Sequence, residues 1–190
     1  MIGCTVAGLV LGTAGGAGSF YALVGYTSAE DEQFGPWMTL KQVGQTEQSP
    51  YSRARVALYG IWGLPPSEVI YFTAMTDESG AALKSTCAYR IEGVEPPARW
   101  WSLTAYQDLF YIPNPANRYS LSKTTIAANR DGSWIIRLSS DGKGPNGLAL
   151  GNGKGLITLS LRLYQPNPGI AANRTLVPLP RIAREACRRA

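Results

Sequence analysis

Val69-Ile70-Tyr71-Phe72-Thr73-Ala74-Met75 is a β-branched and aromatic run, and Asp77-Glu78-Ser79-Gly80 just beyond it is turn chemistry. A strand that meets such a turn doubles back, and Thr86 to Ile91 and Ala98 to Ala105 supply the next two strands, able to pair as a meander. Farther out, Thr124 to Ala127, Ser133 to Leu138 and Leu156 to Tyr164 read as strands, separated by Asn129-Arg130-Asp131-Gly132 and the glycine-rich Asp141 to Gly155 stretch. Gly35-Pro36-Trp37-Met38-Thr39-Leu40 opens the first strand. Between these, Tyr51 to Trp62 reads as a short helix: Ala54, Ala57, Leu58 and Ile61 offer one face, Arg53 and Arg55 another, and Pro65-Pro66 prevents continuation. Pro166-Asn167-Pro168 ends the last long strand, and Arg181 to Arg188 reads as a short terminal helix. Short strands at this density predict a mainly β chain, a jelly-roll-like antiparallel β-sandwich with short flanking helices, whose two sheets bury their inward alternate residues together.

The N-terminal end differs in kind. Met1 to Ala29 carries no charged side chain, and the apolar and small residues from Ile2 to Tyr26 are enough for a transmembrane helix, since about 20 residues cross a bilayer core. Thr5, Thr13 and Ser19 can return their hydroxyls to the helix backbone, and Tyr21 and Tyr26 stand where interfacial aromatics anchor an outer end. A cleaved secretory signal competes: Thr27-Ser28-Ala29 suits a signal peptidase, but no Lys or Arg follows Met1 and the apolar run is long for a signal. The organisation expected is a transmembrane anchor and flank over 1–29, a linker over 30–34 and an exported β-sandwich domain over 35–190. Glu30, Asp31 and Glu32 follow the span and the first basic side chain is Lys41, so nothing holds that flank in the cytoplasm and the orientation is N-in, C-out. Gly8, Gly12 and Gly16 make a small surface where another helix, from a membrane partner or a homodimer, can approach closely; glycine is also simply frequent in such spans.

With 190 residues there is room for one domain beyond the span. Eighteen Lys and Arg against 13 Asp and Glu leave a net charge of +5, which favours anionic lipid headgroups and polyanionic envelope polymers. Basic residues are nonetheless scattered, concentrating only at Arg181, Arg184, Arg188 and Arg189, so no nucleic-acid stripe or module is formed and no nucleic-acid partner is expected.

Chemistry is constrained by what is missing. There is no histidine, and Cys4, Cys87 and Cys187 are the only thiols, so a typical zinc site, a Ser-His-Asp triad and a Cys-His pair all lack members. No metal and no cofactor is expected. Gly151-Asn152-Gly153-Lys154-Gly155 departs from a phosphate-binding loop at Leu148 and Gly155 and runs into a strand where a helix is needed, so it reads as a hairpin loop, with Lys154 a surface anion contact. Trp100, Trp101, Tyr106, Phe110 and Tyr111, followed by Arg118 and Tyr119, form the densest recognition chemistry: rings stack on a sugar or lipid-like ligand while Arg118 bonds a carboxylate or sulfate. The favoured reading is that these aromatics fill a sandwich core while Arg118 pins a turn through backbone carbonyls, since aromatics in a sandwich are ordinarily buried. Asp108, Glu92 and Glu95 offer a carboxylate pair for glycoside cleavage, which requires two of them to face each other across a groove.

Several stretches together resemble a bacterial family of domains of unknown function, the one numbered 1214. They are Tyr51-Ser52-Arg53-Ala54-Arg55-Val56-Ala57, Ile70-Tyr71-Phe72-Thr73-Ala74, Trp100-Trp101-Ser102-Leu103-Thr104-Ala105-Tyr106, Ile112-Pro113-Asn114-Pro115 with Arg118-Tyr119-Ser120, and Leu161-Arg162-Leu163-Tyr164. The resemblance implies an exported jelly-roll-like domain on an N-terminal anchor, often accompanied by a second domain, of family 1254. It implies no catalytic residues. The function expected is a membrane-anchored envelope binding or accessory domain, or a subunit of a membrane protein assembly, in the bacterial inner membrane with its C-terminal domain periplasmic; the alternative is a carbohydrate-active enzyme using paired carboxylates. In an oxidising compartment the two cysteines beyond the span have one possible pairing, and a Cys87–Cys187 disulfide is expected to fasten the terminal helix to a core strand.

Overall fold

The computed structural model describes residues 2–25, 31–40, 43–44, 48–58, 63–151 and 155–188. The chain divides into two compact units, Met1–Asp31 with Lys41–Leu64, and Glu32–Leu40 with Pro65–Ala190. In the first, α1 (Ile2–Gly25) is long and apolar enough, over Gly3–Ala22, to cross a membrane, a property that a signal sequence shares. Thr13 returns its hydroxyl to the Leu9 carbonyl at 2.7 Å, as expected of a hydroxyl in an apolar helix. Apart from the backbone of α1 itself, no atom of the described residues lies within 4 Å of where a Cβ would stand on Gly8, Gly12 or Gly16. The second helix, α2 (Pro50–Leu58), starts where Ser49 accepts a hydrogen bond from the Ser52 N–H at 3.1 Å, with Pro50 at the first helical position. Tyr26, the Thr27-Ser28-Ala29 signal-peptidase site, Glu30, Lys41, Tyr59–Trp62, Asn152–Lys154 and Arg189 lie outside the described residues.

The second unit is a two-sheet sandwich. Its seven-stranded sheet runs β1 (Asp31–Phe34), β2 (Trp37–Leu40), β3 (Val69–Ala74), β10 (Ile157–Pro166), β5 (Ala98–Gln107) and β6 (Phe110–Tyr111), with β7 (Ser120–Ser122) also pairing with β5; strands are numbered in chain order. The four-stranded sheet runs β11 (Arg181–Cys187), β4 (Cys87–Val94), β8 (Ser133–Ser139) and β9 (Gly147–Ala149). From β3 to β5 the chain crosses to the small sheet and back, and it crosses again for β8, β10 and β11, the jelly-roll-like alternation expected of the sequence. The long ladders are antiparallel, and β8 with β9 is a parallel exception.

Period-two alternation explains the core. Ile70, Phe72 and Ala74 of β3, Trp101, Leu103 and Ala105 of β5, and Leu159, Leu161 and Leu163 of β10 point inward from the large sheet. Tyr89 and Ile91 of β4, Trp134, Ile136 and Leu138 of β8, and Ile182 of β11 meet them from the small one. Trp101 and Trp134 stack across the middle with ring centroids 5.1 Å apart. Gly93 lies opposite Trp134 in the β4–β8 register, and a Cβ there would stand 2.4 Å from the indole, so only glycine leaves room for the ring.

Four sequence expectations are corrected. The segment 30–34, expected as a linker, contains strand β1, so the sheet begins before residue 35. Thr124 to Ala127 is a turn: the Thr125 and Ile126 N–H groups bond the Ser122 carbonyl, and the Thr125 hydroxyl accepts from the Ser122 N–H at 2.9 Å, so local hydroxyl bonds displace a ladder there. Within the glycine-rich 141–155 stretch, Gly147–Ala149 adds strand β9. Arg181 to Arg188 is not a helix. Its composition suits one, but Ile182 is fully buried and the segment pairs along β4, whose edge would otherwise be open, so tertiary pairing overrides propensity. The Cys87–Cys187 disulfide is present, joining a cross-strand pair of β4 and β11 whose Cα atoms are 3.9 Å apart.

The turn after β3 ties the two sheets together. Asp77, 3% exposed, accepts from the Ser79 N–H at 2.9 Å, the Ser79 hydroxyl at 2.6 Å and the Ala81 N–H at 3.2 Å, and its other oxygen is 2.8 Å from the Arg184 guanidinium of β11. Desolvation alone would raise its carboxyl; the Ser79 and Ala81 bonds and Arg184 outweigh it and hold it below the ordinary aspartate value. The Arg184 side chain is 31% exposed, so solvent screens part of its attraction for Asp77. Because the folded value is depressed, the stabilisation is complete above the unfolded value of about 3.9 and is lost as pH falls through the folded one. We expect Asp77→Ala to lower stability by about 1–3 kcal/mol near neutral pH and progressively less in acid. Urea midpoints across a pH series check this, and a pH-independent difference would show that the carboxylate acts through shape instead of charge.

Candidate functional site

The alternation that fills the core also sets what the outer face of the large sheet presents. Arg162 of β10 lies between Tyr71 of β3 and Ser102 of β5; Ser160 lies between Thr73 and Thr104; Tyr164 faces Trp100, and Thr158 faces Tyr106. The Arg162 guanidinium donates to the Tyr106 hydroxyl at 2.5 Å. These two residues are one strand apart and offset along the ladder, so their side chains meet over the Ser160–Thr104 pair, and both of those small residues are buried. Rings flank the cation on two sides. Tyr106 meets Tyr111 at 5.2 Å between centroids and Tyr111 meets Tyr119 at 5.3 Å, while Trp100 packs on Tyr164 at 5.3 Å.

Arg162 has no ion-pair partner among the described carboxylates. Half-burial works against its charge, but the Tyr106 bond and the neighbouring Tyr164 and Tyr111 phenols hold its pKa above the ordinary value. Burial, followed by Tyr164, raises the Tyr71 phenol; interaction with the Tyr106 hydroxyl, ahead of burial, raises that of Tyr111. The face therefore holds a permanent cation beside Tyr71 and Tyr111, whose raised phenols keep their protons at neutral pH.

The residues singled out from sequence divide sharply. Trp100 is on this outer face, whereas Trp101, its neighbour in the strand, faces inward, is 1% exposed and stacks on Trp134, so it cannot meet a ligand. Tyr106, Tyr111 and Tyr119 form the continuous ring surface just described. Arg118 is elsewhere engaged: its guanidinium donates to the carbonyls of Gly144 at 2.8 Å, Pro145 at 3.0 Å and Gly147 at 3.3 Å. It thus pins a loop through backbone carbonyls and is not the cation beside the rings. Asn114 organises the segment leading to it, bonding the Ile112 carbonyl and both the N–H and carbonyl of Arg118. The pinned loop is glycine-rich because backbone meets backbone: a Cβ on Gly147 would stand 2.2 Å from the Gly142 and Lys143 carbonyl oxygens. Beyond Gly155, β10 begins where a phosphate cradle would need a helix.

Sequence reasoning missed Arg162, Tyr71 and Tyr164 as site residues. The signal was in the alternation itself, since Leu161-Arg162-Leu163-Tyr164 puts a charge and a ring on the face opposite two leucines. The three acids considered for glycoside cleavage are separately occupied. Glu92, on β4 of the small sheet, pairs with Arg90; Glu95 pairs with Lys123 at 2.6 Å; Asp108, in the β5–β6 turn, accepts from the Leu156 N–H at 3.1 Å. That turn, with Asp108 and Leu109 at φ 48° and 70°, also lifts Phe110 into solvent, 76% exposed. Among the described residues no group of three or more His, Cys, Asp and Glu side chains is placed to hold a metal ion.

Two sheets crossed alternately by the chain, with one polar-aromatic outer face, define a jelly-roll-like β-sandwich domain. The chain belongs to the family described as protein of unknown function (DUF1214), whose model matches residues 68–168. A crystal structure of a protein from Vibrio parahaemolyticus has a similar fold, with a TM-score of 0.63 and 23% identity over 92% of this chain and 45% of that one. This chain therefore spans less than half the length of that protein. A crystal structure of an uncharacterized protein from Burkholderia cenocepacia aligns over 65% of this chain and 31% of that one, with 17% identity and a TM-score of 0.37. No curated protein matches the chain.

Proposed function

We propose that this protein is an accessory domain of the bacterial envelope, anchored in the inner membrane by α1, that binds an envelope polymer through the outer face of its large sheet. The observation that carries this reading is the surface itself: Trp100, Tyr106, Tyr111 and Tyr119 are accessible rings set around a cation, the composition that recognises sugars and acidic groups. Support for a periplasmic domain comes from the Cys87–Cys187 bridge, since such bridges persist where thiols are oxidised. The acidic flank after α1 and the sequence pI near 9.2 suit an N-in anchor and an anionic polymer respectively. Gly8, Gly12 and Gly16 leave room on α1 for the helix of a membrane partner or a second copy, so the domain acts within an assembly.

The test uses the full chain in detergent micelles, incubated with insoluble envelope polymer and sedimented. Retention that Trp100→Ala or Tyr111→Ala abolishes supports the reading. Equal retention by the variants, no retention at all, or cleavage of the polymer by the purified protein would sink it.

A further inference from the structure

We infer that Arg162 is the centre of an oxyanion site, and that its ligand is an acidic sugar, a ring carrying a carboxylate or a phosphate. This deepens the polymer-binding reading and rests on it. A guanidinium has five N–H donors in a planar fork, and the one bond that Arg162 makes among the described residues is to the Tyr106 hydroxyl. Arginines elsewhere on the sandwich are spent differently: Arg184 on Asp77, Arg137 on Glu185, Arg174 on Glu32 and Arg118 on three carbonyls. Arg162 alone in this group stands on a central strand, half-buried, with neither a carboxylate nor a set of carbonyls of the described residues in front of it. Withdrawing a cation from water without a partner is costly, and the same partial withdrawal strengthens its attraction for an incoming anion.

The surroundings fix the rest of the ligand. Tyr71 and Tyr111, held protonated by burial and by Tyr106, are hydroxyl donors that welcome an oxyanion and repel none. On the floor, Ser102, Thr104 and Ser160 are small and buried, so the Arg162 and Tyr106 side chains lie over them and meet between the two aromatic flanks. Trp100 with Tyr164 on one side, and Tyr111 with Tyr119 on the other, supply flat apolar surface for the faces of a sugar ring next to its charged group. A bare inorganic anion would use only the fork; an uncharged sugar would leave the fork unpaired.

Saturation-transfer NMR and titration of the full chain in micelles with glucuronic acid, glucose 6-phosphate, glucose and inorganic phosphate separate these cases. We expect at least one of the two acidic sugars to bind about tenfold or more tightly than glucose and than inorganic phosphate, with affinity falling as ionic strength rises. Which of the two binds identifies the anionic group. Arg162→Gln should abolish the preference and Arg162→Lys, which keeps charge but loses the planar fork, should weaken it, whereas Arg137→Gln on the other sheet should leave it intact. Glucose binding as well as its acidic counterparts, an acidic-sugar preference that survives Arg162→Gln, or no acidic-sugar binding by the unaltered chain would overturn the inference. Polymer retention that depends on Trp100 but not on Arg162 would overturn it too, while leaving the proposed function standing.

Discussion

Loss of the Cys87–Cys187 bridge, by reduction or in the Cys87→Ala/Cys187→Ala double variant, is expected to lower the unfolding free energy by up to about 4.7 kcal/mol, the chain-entropy value for a closed loop of about 100 residues. The bridge encloses most of the sandwich, from the first strand of the small sheet to the last. In the folded state it joins two strands already paired in register, so its removal leaves the ladder formed and chiefly enlarges the unfolded ensemble. What remains of β11 is then held by its ladder, the fully buried Ile182, and the Asp77–Arg184 and Arg181–Glu78 contacts. Two measurements check the expectation: urea unfolding with and without reductant, and hydrogen exchange along 181–187. Peptide mass analysis of the native, unreduced protein should recover the two cysteine peptides linked. Unfolding midpoints that do not move on complete reduction would show that the loop constraint contributes nothing.

Trp134→Ala is expected to cost about 3–5 kcal/mol, the range for emptying a large aromatic site in a packed core. The ring is 2% exposed and joins the two sheets through its stack on Trp101, so its loss leaves space on both sides of the sandwich midline. Among the described residues neither buried indole N–H has a hydrogen-bond partner, so this contribution is one of packing and carries no polar term to be lost. Gly93 provides the control. In the unaltered protein Gly93→Ala drives a methyl to within 2.4 Å of the Trp134 ring and should cost about 1–3 kcal/mol. With Trp134 already alanine, the same methyl enters vacated space, and the double variant should lose less than the sum of the two. Additive losses, measured from urea midpoints at constant slope, would show that the ring is not what requires glycine at 93.

The strands whose inward residues are large and apolar were legible in the sequence, because alternation such as Ile70-Tyr71-Phe72 or Leu161-Arg162-Leu163 states both the conformation and the buried face. Turns at 77–80 and 129–132 were equally plain, since Asp and Gly there meet local backbone demands. By contrast β11 could not be read from Arg181-Ile182-Ala183-Arg184-Glu185-Ala186-Cys187, a string of good helix formers with one large apolar residue. It is a strand because β4 offers an edge a hundred residues away in sequence, and no local pattern records that edge. Trp100-Trp101 shows the same limit within one dipeptide: its aromatic content suggested a ligand surface, but the pleat sends one ring outward and the other into the core.

Composition and pattern alone thus determined an N-terminal apolar helix, a following β-sandwich, the absence of histidine chemistry and the single possible pairing of Cys87 with Cys187 beyond that helix, for these depend on residue type and near-neighbour spacing. Tertiary structure decided which cation stands among the rings. Arg118 is close to Tyr119 in sequence yet reaches three carbonyls of a distant loop, whereas Arg162 comes from the central strand β10 to meet Tyr106 of β5. The physical reason is that a sheet face is assembled from strands far apart in the chain, so the charge and aromatic groups that share it are neighbours only by register.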